Sequence, residues 1–280
     1  MTAVAVGVLI AVAFGSGDFA GGRASSSVST SSVLAVAQAC SVLGAAALVV
    51  VVPGDVQARD LGIGTLAGVV NVTGLGLLYA GLARHAAAVV APVAAVVGSL
   101  VPVLWGLLRG ERPSSLVLAG IAAAMAAAAL VSLGPSEERV GTSRGAAMAV
   151  AAGVALGSSL VLFSETDGAS GQWPVLAARA GALVAVVVAT ACLARIGRME
   201  RPRGRTLALA VTAGAFDVTA TALLVYAVRR ELLSVVAPIA SLAPAFTVVL
   251  AWFLTHQRVN AVQRIGLAVA VAGLALIAAG

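Results

Sequence analysis

The sequence has no lysine, only two cysteines and few aromatic residues, and each shortage excludes a class of protein. Without lysine there is no glycine-rich phosphate loop of the kind that ends in lysine, so we do not expect a nucleotide-driven pump. No His, Cys and Asp residues have the spacing of metal ligands, so we expect no metal and no cofactor. Aromatic residues make up 4% of the chain, and none interleave with a basic surface that could bind nucleic acid. We therefore expect neither an enzyme nor a nucleic-acid-binding protein.

Charge is also scarce. Only 10% of residues are charged, 61% are hydrophobic and the mean hydropathy is +1.08. A soluble domain of this size carries far more charge. The two cysteines, Cys40 and Cys192, lie inside apolar runs, where we interpret them as small packing residues.

About ten apolar runs fill the chain, with short turns between them. A helix needs about 20 residues to cross a hydrocarbon core of roughly 30 Å. The runs are too long for barrel strands and do not alternate, so they are helices with internally paired backbones. The sequence therefore predicts an all-α membrane protein with ten transmembrane helices, over roughly residues 2–22, 31–52, 61–82, 86–107, 114–134, 144–163, 173–194, 206–228, 233–254 and 261–279.

The chain repeats itself after a shift of 146 residues. Residues 67–92 align without a gap with residues 213–238, and the matches include Arg, Thr and Pro. We therefore predict a first five-helix repeat over 1–134, a linker over 135–144 and a second repeat over 145–280. Because five is odd, the two repeats must cross the membrane in opposite senses.

Small residues recur at every fourth position of helices 1 and 6. Gly7 and Gly15 belong to the first set, and Gly153 and Gly157 belong to the second. This spacing places each set on one stripe of its helix, where a neighbouring backbone can approach closely. We predict that both stripes are packing faces inside the bundle.

Ionisable residues within the apolar runs are the clearest indication of function. An acid or an arginine at the centre of a membrane helix costs about 2.5–3.5 kcal/mol. Asp217 aligns with Asn71 in the sequence repeat. We interpret Asp217 as part of a substrate or proton site. The alternative is that it forms a structural ion pair with Arg179. The other candidates for this site are Asn71, Arg179, Asp18, Thr73, Thr219, Gln38 and Ser158.

Prolines interrupt predicted helices 4 and 9. A broken helix frees carbonyl groups that can line a site near the middle of the membrane, whereas a plain kink would not. The predicted helix breaks are at Pro92, Pro102, Pro238 and Pro244.

Several short motifs are similar to those of a known family of membrane proteins. Residues 90–107 and the Gly-Glu-Arg-Pro turn at 110–113 are similar to the family's fourth helix and following turn. Gly-Ser at 15–16 resembles a Trp-Gly-Ser element, with Phe14 in place of Trp. Arg179 resembles an arginine often found early in the second helix of a repeat. By these motifs the chain resembles EamA-type proteins of the drug/metabolite transporter superfamily. The resemblance implies two five-helix halves that export or exchange small metabolites.

Two positions depart from this pattern. The second half has His-Gln-Arg at 256–258 where the first has Gly-Glu-Arg, so the acid is missing there. The sequence alignment also places Ala37 at the position of Arg179, with Gln38 beside it.

The expected function is secondary transport of small metabolites across the cell (plasma or inner) membrane. The two halves would alternate access to a site lined by helices 1, 3, 4, 6, 8 and 9. The expected partners are a small-molecule substrate, protons, membrane lipid and a second copy in a homodimer. The alternatives are a non-transporting scaffold or assembly protein, which predicts a sealed core, and a lipid-linked-sugar flippase, which predicts a cavity open to lipid.

Two arguments disagree about orientation. Eleven arginines lie on the side of the connections after helices 1, 3, 5, 7 and 9, and five lie on the other side. The positive-inside rule therefore places the N-terminus outside the cell. The family resemblance implies that both termini are in the cytoplasm.

Overall fold

The computed structural model describes residues 3–84, 87–133, 143–193, 201–256 and 259–280, so the predicted linker lies almost entirely outside the described residues. Over these residues the protein is all-α and has no β-strand, as predicted. A 3-10 turn, Gly168–Ser170, lies in the connection between the sixth and seventh helices. The helices are α1 (Ala3–Ser25), α2 (Thr30–Val51), α3 (Ala58–Arg84), α4 (Ala87–Leu108), α5 (Ser115–Val131), α6 (Ser143–Ser164), α7 (Trp173–Leu193), α8 (Gly204–Val228), α9 (Leu233–Ala240), α10 (Ala243–Thr255) and α11 (Ala261–Ala279).

These helices account for the ten predicted spans. Within the described part of the chain, nine segments are long and apolar enough to cross a membrane, with Leu233–Thr255 taken as one segment. The remaining span is α5, which is apolar and has 17 residues. The protein is thus an integral, multi-pass membrane protein.

Predicted helix 9 is broken into α9 and α10. The break covers residues 241–242, and Pro244 lies in the first turn of α10. Pro244 has no N–H to donate, and its ring would collide with the carbonyl of the residue four positions earlier. Pro238 lies inside α9 and does not break it, which corrects that part of the prediction.

Predicted helix 4 is not broken. α4 runs without interruption through Pro92 and Pro102, so the predicted breaks at both positions are wrong. A proline inside a helix removes one backbone hydrogen bond, which bends the helix but need not end it. Pro102 is fully buried and faces the small-residue stripe at Gly157, so packing supports the helix at this point.

The two halves interlock by exchanging contacts between equivalent helices. α1 packs against α8, α9 and α10, and α6 packs against α3 and α4. The last helices of the halves, α5 and α11, pack against each other. The first helix of each half therefore contacts the third and fourth helices of the other half, as expected for inverted repeats related by a two-fold axis.

Glycines make these contacts close. A Cβ atom at Gly157 would lie 2.7 Å from the carbonyl oxygen of Gly98 in α4, and one at Gly153 would lie 2.8 Å from that of Ala94. On the first helix, a Cβ atom at Gly15 would lie 2.5 Å from the carbonyl oxygen of Ala243. Gly7 lies against the side chain of Ile239. Both stripes therefore face the fourth helix of the opposite half.

Leucine at Gly153 or Gly157 should separate α6 from α4. We expect either change to lower the free energy of unfolding by about 3 kcal/mol or more, because backbone lies where the side chain would go. The thermal melting temperature in detergent measures this effect. Val154 lies on the same helix and is 44% exposed, so Val154→Leu is the matched control. Equal melting of all three variants and the original protein would contradict the packing role.

Candidate functional site

A cavity of about 750 Å³ enters the bundle between the two halves. α1, α3, α4, α6, α8 and the break between α9 and α10 contribute to its walls, as do the ends of α5 and α11. Most of the lining side chains are apolar. Four polar residues from the interior of the helices also line the cavity, and these are Asp18, Asn71, Asp217 and Thr247.

The cavity extends to one end of the bundle, which we call the open end. Gly22 and Ser25 in the last turns of α1, Thr30 at the start of α2 and Ser132 after α5 line it there. The open end is the side of the connections that follow α1, α3, α5, α7 and α10. The described arginines on this side include Arg23, Arg144, Arg201, Arg203, Arg205 and Arg264.

The opposite end, which we call the closed end, is held by polar contacts between the halves. Asp60 at the start of α3 is 1% exposed and accepts hydrogen bonds from the Ser170 hydroxyl at 2.6 Å and the Asp167 N–H at 2.7 Å. Within the second half, Arg229, just after α8, donates to the Gly171 carbonyl at 2.7 Å and so holds the same connection. Burial lowers the pKa of Arg229, while the carboxylates of Asp60 and Asp167 oppose this shift.

Two glutamates add contacts at the closed end. The Glu111 carboxylate accepts hydrogen bonds at 2.8 Å from the N–H groups of Leu233 and Ser234, the first residues of α9. Glu165, after α6, accepts a hydrogen bond at 2.9 Å from Arg109, after α4. Each glutamate therefore ties one half to the other, and Glu111 holds the positive end of the α9 dipole.

Asp217 forms a buried ion pair at the wall of the cavity. Arg179 in α7 donates one hydrogen bond to the Asp217 carboxylate and another to the Thr221 hydroxyl. The Arg179 side chain is 6% exposed, whereas the Asp217 side chain is 26% exposed and faces the cavity. The Ser41 hydroxyl of α2 lies 3.4 Å from the same carboxylate and donates to the Gly214 carbonyl at 2.8 Å.

The equivalent position in the first half is neutral. Asn71 also lines the cavity, and its amide N–H donates to the Ser159 hydroxyl of α6 at 3.2 Å. Ser159 is fully buried and donates in turn to the carbonyl of Leu156. The cavity thus has an ion pair on one wall and a neutral hydrogen-bonded pair on the wall related to it by the repeat.

Asp18 lines the cavity without a polar partner. It lies in α1, and its exposed surface faces the cavity. Among the described residues it makes no hydrogen bond and no salt bridge. It lies close enough to Asp217 for the two charges to interact.

The comparisons with known proteins assign the family. Residues 143–279, the second half of the chain, match the model of the EamA-like transporter family. The chain belongs to this family. A solved crystal structure of a protein superposes with a TM-score of 0.76 over 98% of this chain and 95% of that chain; at 18% sequence identity, this likeness shows the fold alone. None of the curated proteins matches the chain.

The two halves of this EamA-like protein can be aligned from their contacts. Gly68 of α3 packs on the carbonyl of Ala178 in α7, and Gly214 of α8 packs on the carbonyl of Ala37 in α2. Gly68 and Gly214 are 146 residues apart, so Ala37 and Ala178 occupy equivalent positions. The offset between the second helices is therefore 141 residues.

This offset makes Gln38 the counterpart of Arg179. The alignment from sequence had placed Ala37 there, which is wrong by one residue because apolar helices offer few distinctive residues to fix the register. Gln38 is 4% exposed, and its Oε1 has no hydrogen-bond partner among the described residues. It does not line the cavity. The polar pair Arg179–Asp217 in the second half thus corresponds to Gln38 and Asn71 in the first.

Three candidates lie away from the cavity of the EamA-like fold. Thr73 and Thr219 are exposed on the outside of α3 and α8, and each hydroxyl donates to the carbonyl four residues earlier. They lie two residues after Asn71 and Asp217, and residues two apart point to different faces of a helix. Ser158 is half-buried and does not line the cavity; its neighbour Ser159 makes the polar contact.

Sequence reasoning missed several residues of the site. Ser41 reaches Asp217 across 176 positions of the chain, and nothing local in the sequence predicts this contact. Sequence reasoning gave Asp60 no role and considered Glu111 only as part of the Gly-Glu-Arg-Pro turn, although both accept backbone hydrogen bonds from the other half. Phe14, which lines the cavity, was considered only as a variation of a family motif.

Proposed function

We propose that this EamA-like protein is a secondary transporter that exports or exchanges small metabolites across the cell membrane. The observation that carries the proposal is the cavity, which reaches Asn71 and Asp217 from the open end while contacts between the halves hold the other end shut. A single site of this kind, accessible from one side, is what alternating access requires.

The same cavity counts against the two alternatives. A scaffold would need only a sealed core, and the cavity takes up space that side chains would otherwise fill. A flippase for lipid-linked sugars would need an opening along the length of the helices. Here the mouth is lined by residues at helix ends, such as Ser25, Thr30 and Ser132, as suits a solute that arrives from water.

In the proposed transport cycle the two ends open in turn. Breaking the bonds of Asp60 and Glu111 would let α9 and the 165–172 connection move away from the first half. α9 can move separately from α10 because residues 241–242 interrupt the helix at the cavity wall. With the orientation that the arginine bias favours, the state described here would face the cytoplasm.

Ligand-dependent thermal stabilisation tests the function. Purified protein should melt at a higher temperature with at least one member of a small-metabolite library, because a ligand that binds the folded state stabilises it. The same compound should then leave proteoliposomes that contain the protein faster than protein-free liposomes. If no compound in the library stabilises the protein and none is transported, the result favours a non-transporting scaffold over a transporter.

Cysteine accessibility tests alternating access. In a Cys40→Ala, Cys192→Ala background, Ser25→Cys at the open end should react quickly with a membrane-impermeant maleimide, and buried Ser234→Cys at the closed end should react slowly. Adding Asp60→Asn should accelerate the reaction at position 234 about tenfold, since a charged hydrogen-bonding partner is lost.

Asp55→Asn is the matched control, because Asp55 is an exposed acid in the connection just before α3. It should leave both labelling rates unchanged. Faster labelling at position 234 should come with slower labelling at position 25, since the two ends open in turn. If both positions speed up together, Asp60→Asn has loosened the whole bundle and alternation is not supported.

A further inference from the structure

The charges around the cavity do not balance. Asp217 and Arg179 neutralise each other through their ion pair. Asp18 adds a second carboxylate, and no arginine, lysine or histidine is among the described residues that line the cavity. When Asp18 is ionised, the site therefore carries one uncompensated negative charge. A cavity surrounded by apolar side chains screens this charge poorly, so a bound positive charge would be attracted strongly.

The surroundings of Asp18 suit the apolar part of a ligand. Phe14 lies four residues before Asp18 on α1, hence on the same face, and both line the cavity. Leu75 of α3 and Leu156 and Leu160 of α6 form apolar walls. An aromatic ring near a carboxylate also favours a cation through its negative face.

We propose that the cavity binds one organic monocation, a primary or substituted ammonium group with an apolar body, and that Asp18 holds its charge. The inference rests on the proposed transport function and names the class of its substrate. One positive charge is enough because, of the carboxylates on the described residues that line the cavity, only that of Asp18 lacks a partner. Carboxylate-bearing solutes are disfavoured, since they would meet two acids and no free cation among the described lining residues.

A matched series of three ligands tests the charge preference on the unmodified protein. Phenethylammonium, phenylacetamide and phenylacetate share a benzyl group and differ in charge, which is positive, neutral and negative. Isothermal titration calorimetry of the purified full chain should show that the ammonium binds at least about tenfold more tightly than the amide, and that the acetate binds most weakly. Amide or acetate binding as tight as that of the ammonium, or no binding by any of the three, overturns the proposal.

Variants then locate the charge. Asp18→Asn should weaken ammonium binding about tenfold and leave amide binding unchanged. Asp55→Asn removes the same charge from an exposed loop and should bind all three ligands like the original protein. Unchanged ammonium binding by Asp18→Asn refutes the role of Asp18. If Asp18→Asn does not elute as a folded protein in size-exclusion chromatography, the ligand series on the original protein decides whether the cavity prefers a cation.

Transport by the same preparation separates this inference from the proposed function. Proteoliposomes that carry neutral or anionic metabolites but show no preference for the ammonium would refute the cation site and leave the transporter intact. Selective ammonium binding that depends on Asp18, without any transport, would refute the transporter and leave the cation site.

Discussion

Asp217→Asn is expected to abolish transport and to lower the stability of the protein. The variant copies the neutral Asn71 of the other half, so its shape is tolerated at an equivalent position. It also leaves Arg179, whose side chain is 6% exposed, without its anionic partner. Removing one member of such a pair costs about 2–3 kcal/mol of unfolding free energy here, less than for a wholly buried pair because Asp217 is partly open to the cavity.

A double variant separates stability from transport. Arg179→Gln with Asp217→Asn removes both charges and reproduces the Gln38 and Asn71 of the first half. Because neither member of the ion pair is then left without the other, we expect the melting temperature to recover most of the loss seen in either single variant. Transport, measured as efflux from proteoliposomes, should stay absent.

The possible results give distinct interpretations. Recovery of both stability and transport in the double variant would mean that the ion pair is structural and that the transport site lies elsewhere in the cavity. Normal transport with unchanged pH dependence by Asp217→Asn alone would contradict any role of this carboxylate in transport.

Gly68→Ala is expected to be the most destabilising single-methyl change in α3. A Cβ atom at this position would lie 1.9 Å from the carbonyl oxygen of Ala178, a distance that no rotamer can relieve because both groups are fixed to backbone. α3 and α7 must therefore move apart, which we expect to cost about 3 kcal/mol or more. Gly214→Ala should behave alike, since its Cβ atom would lie 2.2 Å from the carbonyl oxygen of Ala37.

Gly76→Ala provides the control within the same helix. Gly76 is exposed, and a Cβ atom there would meet nothing within 4 Å. Alanine favours helix more than glycine does, by up to about 1 kcal/mol, so this variant should melt at or above the original temperature. Differential scanning fluorimetry in one detergent measures all three variants. Equal melting of Gly68→Ala and Gly76→Ala would show that α3 and α7 are not in backbone contact.

The sequence by itself determined the class of the protein and its repeated plan. A membrane helix must satisfy its own backbone and bury about 20 apolar residues, so composition and run length suffice to count the spans. The shift of 146 residues aligns helices 3 and 4 with their counterparts because Arg, Thr and Pro mark the register there. It also pairs Asn71 with Asp217, and both line the cavity.

Only the tertiary structure decided which face of each helix is the inner one. Composition does not distinguish lipid from protein interior, because both are apolar, and so Thr73 and Thr219 looked equivalent to Asn71 and Asp217 although they point outward. The register of Gln38 with Arg179 likewise depends on glycine contacts between helices far apart in the chain. The closed end depends on the same kind of contact, since Asp60 and Glu111 find their partners more than 100 residues away. Such pairings follow from how helices pack, which no local pattern of residues records.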